Sequence, residues 1–284
     1  MNKVFEIVTD KIIAQLETGV IPWSKSWVNR PPVNITGRLY GGINLFTLYA
    51  EGFSSNIWLS YKQAMACGGN VKKGVKGSMA IFWKILNVHK DDEVKHIPFL
   101  RYHTVFNLEQ CDNVKVPDRI QAMSNNLHTW DPLQQAETVV SGMPSRPDIR
   151  HQEQRAYYHP KDDYVNMPIR ESFAEASGYY ATLFHELAHS TGHATRLDRG
   201  TLSTVFSSDD YAKEELVAEL GAAFLCAHAG IENKIDNSAA YIQSWIKALQ
   251  NAKSMSVYAA ARAQNAAAFI LNEIPNQIRQ SEAA

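Results

Sequence analysis

The stretch YYATLFHELAHSTGH, residues 179–193, carries His185-Glu186-Leu187-Ala188-His189 inside an apolar helical pattern. On an α-helix, residues four apart lie on one face, so the two imidazoles reach toward one point. Imidazole nitrogen is a ready ligand for zinc, and a catalytic zinc keeps one position open for water. Glu186, next to the first histidine, is placed to take a proton from that water as the base of a metal-assisted hydrolysis. Leu183, Phe184, Leu187 and Ala188 imply that the helix is buried. Two buried histidines without partners would be costly, whereas two metal ligands would not. Zn2+ is the expected ion, with another divalent metal such as Mn2+ as the alternative.

Candidates for the third ligand lie further along the chain. Gly192 fits the glycine of the longer HExxHxxGxxH pattern, but Thr195 stands where that pattern requires a histidine. His193 lies one turn beyond His189, yet Gly192 is expected to end the helix first. That leaves His193 a supporting residue or an alternative ligand. The next helical segment, DYAKEELVAELGAAFL, places Glu215 and Glu219 four apart on one face. A carboxylate from a separate downstream helix completes a two-histidine, one-glutamate zinc site. Glu215 is the expected ligand and Glu219 the residue that orients a histidine, with the reverse assignment open. Glu214 is expected to point elsewhere. Tyr157 and Tyr158 precede the helix on a short strand candidate, from which either hydroxyl could stabilise a developing oxyanion. The same strands could offer an edge to an extended peptide.

Ahead of this region the pattern changes. Helical spacing of Val4, Ile7, Val8, Ile12, Ile13 and Leu16 is followed by a stretch dense in proline, glycine, asparagine and aromatics. Helices are expected near 44–53 and from Ser60, where Ser60 and Gln63 have capping-box spacing. A Gly/Lys loop, GGNVKKGVKGS, leads into two β-rich runs joined at HKDDEV. The loop is not a phosphate-binding P-loop, because Val75-Lys76-Gly77 replaces the required Lys-Ser/Thr. Strands near 149–151, 155–158 and 164–167 precede helices over 171–192, 210–230, 239–253 and 257–272. The expected fold class is α+β in two domains: 1–111, a linker over 112–130, and 131–284.

The chain has 284 residues, 45% hydrophobic and 20% charged, which excludes intrinsic disorder and fibrous repeats. Its net charge of -1 conceals a split. Residues 1–125 hold 15 Lys and Arg against 10 Asp and Glu, a net +5, and the remainder holds 13 against 19, a net −6. Trp23, Lys25, Trp27, Arg38, Tyr40, Trp58, Lys72, Lys73, Lys76 and Trp83 intersperse aromatic rings with cations in the basic part. Rings that stack bases beside cations that follow phosphates are what single-stranded DNA binding needs. The N-terminus lacks a signal peptide's apolar run, no window is long and apolar enough to span a bilayer, and the three cysteines form no pairable framework. A cytoplasmic protein with no membrane partner is expected.

Several segments carry a family resemblance: IPWSKSW, GRLYGGIN and IWLSYKQAMACGGNVKKGVKGS in the first part, and HELAHSTGH, Arg196-Leu197-Asp198-Arg199 and EELVAELGAAFL in the second. With these the chain resembles the plasmid-borne ArdC antirestriction proteins, whose N-terminal domain is also found joined to conjugative primases. The resemblance implies a domain that binds single-stranded DNA followed by a zincin-like metallopeptidase domain. It implies a role in shielding incoming plasmid DNA from host restriction during conjugation. A peptidase would then have a protein substrate, a host restriction component being one candidate.

Overall fold

The computed structural model describes residues 3–18, 21, 31–90, 93–125, 132–200, 209–231, 233, 239–252 and 254–273. The chain divides into two compact units, Met1–Val8 with Arg30–Leu127 and Thr9–Asn29 with His128–Ala284.

Helix α1 (Lys3–Glu17) buries Ile12, Ile13 and Leu16 along one stripe. A hydrogen bond of 2.7 Å joins Thr9 Oγ1 to Ser256 Oγ, so the second half of this helix belongs with the second unit.

The first unit is built on a four-stranded sheet. Its strands are β1 (Val33–Asn34), β2 (Ile57–Leu59), β4 (Ser78–Lys90) and β5 (Glu93–Asn107), in the order β1-β2-β5-β4. Helix α2 (Ile43–Tyr49) and helix α3 (Tyr61–Ala66) complete it. The capping box at α3 is closed in both directions: Ser60 Oγ accepts from Gln63 N at 3.3 Å, and Gln63 Oε1 accepts from Ser60 N at 2.8 Å. After α3, β3 (Asn70–Val71) pairs with β6 (Cys111–Asp112). A Cβ on Gly69 would stand 2.5 Å from the Asp112 carbonyl oxygen, so this crossing requires glycine. Strands β4 and β5 stay in register from Ser78↔Val105 to Lys90↔Glu93, forming a ribbon that runs well past the two residues of β5 that β2 reaches. Pro98 sits in that two-stranded part, where no third strand pairs with β5 among the described residues.

The segment expected to be a linker contributes to this unit instead. Beyond β6, α4 (Asp118–Asn125) inserts the fully buried Ile120 between Val33, Ile35, Ile57 and Leu59. Its polar composition conceals a single well-placed apolar residue.

The second unit begins with α5 (Pro132–Gly142). A three-stranded sheet comes next, β7 (Asp148–Arg150), β8 (Tyr157–His159) and β9 (Tyr164–Asn166), ordered β7-β9-β8. Then come α6 (Ala176–Ser190), α7 (Asp209–Ala229), α8 (Ala239–Asn251) and α9 (Met255–Ile270). Tyr179, Tyr180, Leu183, Phe184 and Leu187 of α6 pack with Leu225 and Cys226 of α7 and Val165 and Met167 of the sheet region. Each fully buried Leu or Phe contributes about 1.5–3 kcal/mol. A Cβ on Gly221 would come within 3.0 Å of Ala188 Cβ, so the absent side chain lets α7 lie close against α6. That approach brings the carboxylates of α7 to the histidines of α6. No helix among the described residues is long and apolar enough to cross a membrane.

Candidate metal centre

His185 and His189 lie one turn apart on α6, with their Nε2 atoms 3.0 Å from each other. Glu215 of α7 faces both, Oε2 lying 3.5 Å from His185 Nε2 and Oε1 lying 3.6 Å from His189 Nε2. The three side chains each offer a ligand atom within 4.8 Å of the others, the only such group of His, Cys, Asp and Glu among the described residues. Two donors held at about 2.0–2.2 Å by one tetrahedral ion stand roughly 3.3–3.6 Å apart. The two Glu215 distances match that spacing, the histidine pair at 3.0 Å is slightly closer, and the donor set is one that suits a divalent metal. Glu186 is buried beside His185 on the same helix, and its charge acts on both His185 and Glu219.

Each ring nitrogen turned away from that centre faces a carboxylate. Glu219 Oε1 is 3.7 Å from His185 Nδ1, and Glu214 Oε1 is 3.7 Å from His189 Nδ1. A carboxylate that accepts from this nitrogen fixes the ring orientation and tautomer of a ligating histidine; at 3.7 Å both carboxylates stand just beyond hydrogen-bond distance, and His185 Nδ1 is buried without a hydrogen-bond partner. The structure thereby corrects the expectation that Glu214 points elsewhere. Successive histidines four apart diverge around the helix by about 40°, so neighbouring carboxylates on α7 reach different rings. Glu214 is in turn held by Arg199, Nη2 donating to Oε1 at 2.5 Å and Nε to Oε2 at 3.2 Å. The same guanidinium donates to Thr191 Oγ1 at 2.6 Å and to the Ala188 carbonyl at 2.9 Å. It thereby ties the end of α6 to α7.

The charges balance closely. Burial would raise the Glu215 carboxyl, but the two histidines and a hydrogen bond from Tyr211 outweigh it and hold the group at about 2. Glu214 is likewise held at about 2, burial being outweighed by His189 and Arg199. Glu219 goes the other way, to about 7, because its deeper burial is reinforced by the like charges of Glu215 and Glu186. Burial works against a charge on His185, but the surrounding carboxylates prevail and push it up. Four carboxylates, Glu186, Glu214, Glu215 and Glu219, thus stand around the two imidazoles, with Arg199 neutralising Glu214.

His193 stands outside the ligand group. Its Nδ1 lies 2.8 Å from Thr195 Oγ1, within the turn after α6, and its side chain lines a cavity of about 400 Å³ together with Lys161, Asp198 and Arg199. The hydroxyls of both candidate oxyanion tyrosines are engaged elsewhere. Tyr158 donates to Asp163 at 2.8 Å and accepts from Arg196 at 3.2 Å. Tyr157 Oη lies 3.2 Å from Tyr164 Oη, an interaction that, with burial and Glu153, raises it to about 12.

Reasoning from sequence misses Tyr211, Glu214 and the paired roles of Arg196 and Arg199. Arg196 is almost wholly buried and binds the Ser190 and Ser145 carbonyls and Asp163. Position along the chain gives no signal for the arginines, because α6 ends at Ser190, six residues before Arg196 and nine before Arg199.

In the first unit the proposed DNA contacts separate. Trp58 is 2% exposed and Tyr40 9% exposed, both packed with Leu48, Ala80 and Val105. Neither can offer a ring face to a base, and their assignment as stacking residues is corrected to the core. Residue type misleads here because an aromatic side chain fills a small domain's interior as readily as it stacks a base. Arg38, Lys72, Lys73 and Lys76 are exposed, Lys72 donating to the Glu109 carbonyl at 2.8 Å. Trp23, Lys25 and Trp27 lie outside the described residues, as does the side chain of Trp83.

Two family models match different parts of the chain. Residues 134–263 match the model of a zincin-like metallopeptidase, and residues 2–106 match the N-terminal domain of anti-restriction factor ArdC. The protein is thus of the class that joins an ArdC-type N-terminal domain to a zincin-like domain with a divalent-metal site. The solved antirestriction ArdC protein from plasmid R388 is similar along almost the whole chain. Its metal-free structure is 40% identical with a TM-score of 0.75, covering 94% of this chain and 96% of that one. Its Mn(II)-bound structure is 39% identical with a TM-score of 0.76, covering 94% and 97%. The chain belongs to the ArdC family of antirestriction proteins. It is also 35% identical to the uncharacterized protein y4eC of Sinorhizobium fredii, over 93% of this chain and 90% of that protein. A DNA primase TraC of Escherichia coli is 36% identical over 97% of this chain, which spans only 28% of the primase.

Proposed function

We propose that the protein protects incoming plasmid DNA from host restriction in the cytoplasm, binding single-stranded DNA through its first unit and carrying a zinc-dependent peptidase centre in its second. The observation that carries the second part is the convergence of His185, His189 and Glu215, with Glu186 beside them and a carboxylate facing each Nδ1. The first part is supported by the matched ArdC N-terminal domain and by the net +5 of residues 1–125.

In this reading the two histidines and Glu215 hold the ion, while Glu219 and Glu214 keep the imidazoles aimed at it. A divalent metal bound there polarises a carbonyl and acidifies water. Glu186 accepts the proton of the attacking water and delivers it to the leaving amine, the work of a positioned general base and acid. The substrate is a protein, a host restriction component being the version with the sharpest consequence. Glu186→Gln tests it: the variant should retain its metal and its DNA affinity but lose antirestriction in conjugating cells. Full antirestriction by that variant would leave DNA coating as the mechanism and the metal centre with a non-proteolytic task.

A further inference from the structure

Among the described residues, every phenylalanine, tyrosine or tryptophan that stands strongly exposed, Tyr61, Phe82 and Tyr102, lies in the first unit. The register of the β4–β5 ribbon sorts two of these onto opposite faces. Phe82 pairs with Arg101, and Ala80 with His103, whereas Ile81 pairs with Tyr102. Directly opposed residues project from one face and alternate residues share it. Ala80, Phe82, Arg101 and His103 therefore line one face, and Tyr102 lines the other.

The two ends of the first face differ. At one end Ala80 and Val105 are covered, together with Trp58, by Tyr40 and Leu48. At the other end Phe82 is 40% exposed. The His103 ring meets it edge to face at 5.0 Å, and the Arg38 guanidinium lies 5.8 Å above its centroid. Arg38, Arg101 and His103 are all exposed. The core ends and an aromatic shelf edged by two guanidinium groups begins.

We propose that this shelf is where single-stranded nucleic acid stacks its bases, Phe82 and His103 offering ring surface and Arg38 and Arg101 meeting the phosphates. The inference rests on the single-strand reading of the first unit and gives that reading a surface, in place of the buried Tyr40 and Trp58. Aromatic faces bind bases without regard to sequence, and guanidinium groups serve both as stacking planes and as phosphate partners. The net +5 of residues 1–125 complements a polyanion.

The test uses the full-length protein and a fluorescently labelled oligothymidylate, with anisotropy read over a salt series. Phe82→Leu should weaken binding about 10-fold while leaving the salt slope unchanged, and Phe82→Tyr should restore it. Arg38→Ala and Arg101→Ala should weaken binding and lower the slope by about 0.7 each. Tyr102→Leu, on the opposite face, should bind as the unaltered protein does. Thermal melting by circular dichroism verifies folding; if Phe82→Leu fails to fold, Phe82→Tyr and the two arginine variants carry the test. Undiminished binding by the folded Phe82 and arginine variants, or a 10-fold loss in Tyr102→Leu instead, overturns the shelf while leaving single-strand binding intact. Absence of binding by the unaltered protein at low salt overturns the single-strand reading itself.

Discussion

The metal centre and the aromatic sheet make opposite use of residues that chemistry singles out. On α6 and α7, the side chains best suited to a metal turn inward and meet. In the sheet, one tryptophan candidate for a base stack, Trp58, turns inward and becomes core. A metal site gains from burial, because desolvated ligands grouped around a cation are mutually supporting. A nucleic-acid surface is lost by burial, so residue type without exposure says little.

That contrast predicts effects of different kinds and sizes. Trp58→Ala should cost about 3–5 kcal/mol of stability, as truncation of a buried aromatic does. Denaturant unfolding of the first unit checks it, and a loss confined to DNA affinity would return Trp58 to the surface. Arg199→Ala leaves Glu214 buried without its cation, for which the expected loss is of similar size, about 3–5 kcal/mol. Here the measurement is thermal unfolding of the metal-stripped protein, so that the loss of bound metal is not counted twice.

The HExxH pair is legible in the sequence because its whole logic sits on one helix, at a spacing fixed by 3.6 residues per turn. The placement of Glu215 opposite the two histidines is legible because the next helix is buried and carries paired carboxylates. Glu214 and Arg199 are not, since their meeting depends on the turn after α6 folding back, with Arg199 N donating to the Gly192 carbonyl at 3.0 Å. The two-domain α+β architecture emerges from the order of strands and helices. The part played by 112–127 in the first unit does not, because one buried Ile120 in a polar segment leaves no periodic signal. Exposure in the sheet cannot be read at all, as the two faces of β4 and β5 carry similar residues.

Smaller effects sharpen the same comparison. Glu214→Gln should weaken metal affinity about 10–100-fold, as removal of a carboxylate that orients a ligating histidine does. Competition with a chromogenic chelator gives the value, and unchanged affinity would make Glu214 a purely structural partner of Arg199. In the first unit, replacing Lys72, Lys73 and Lys76 by alanine should lower the salt slope of DNA binding by about 0.7 for each phosphate no longer neutralised. No change in slope would remove the loop from the interface.

The smallest effect concerns acid stability away from the metal. Burial would raise Asp163, but hydrogen bonds from Arg196 and Tyr158 and the Arg196 charge outweigh it and hold the carboxyl below its ordinary 3.8. A depressed folded value means stability that is complete above the ordinary value and lost as pH falls below it. Asp163→Asn should therefore be less stable at neutral pH and show a shallower decline below about pH 4. An identical acid-unfolding profile would contradict the pairing.

The most direct test of the central claim is calorimetric titration of chelator-stripped protein with zinc, run on the unaltered chain, Glu215→Gln and Glu219→Gln. The unaltered protein should bind one ion per chain, Glu215→Gln should show no tight binding, and Glu219→Gln should bind more weakly at the same stoichiometry. Tight binding by Glu215→Gln together with its loss in Glu219→Gln would contradict the assignment of Glu215 as the ligand from α7.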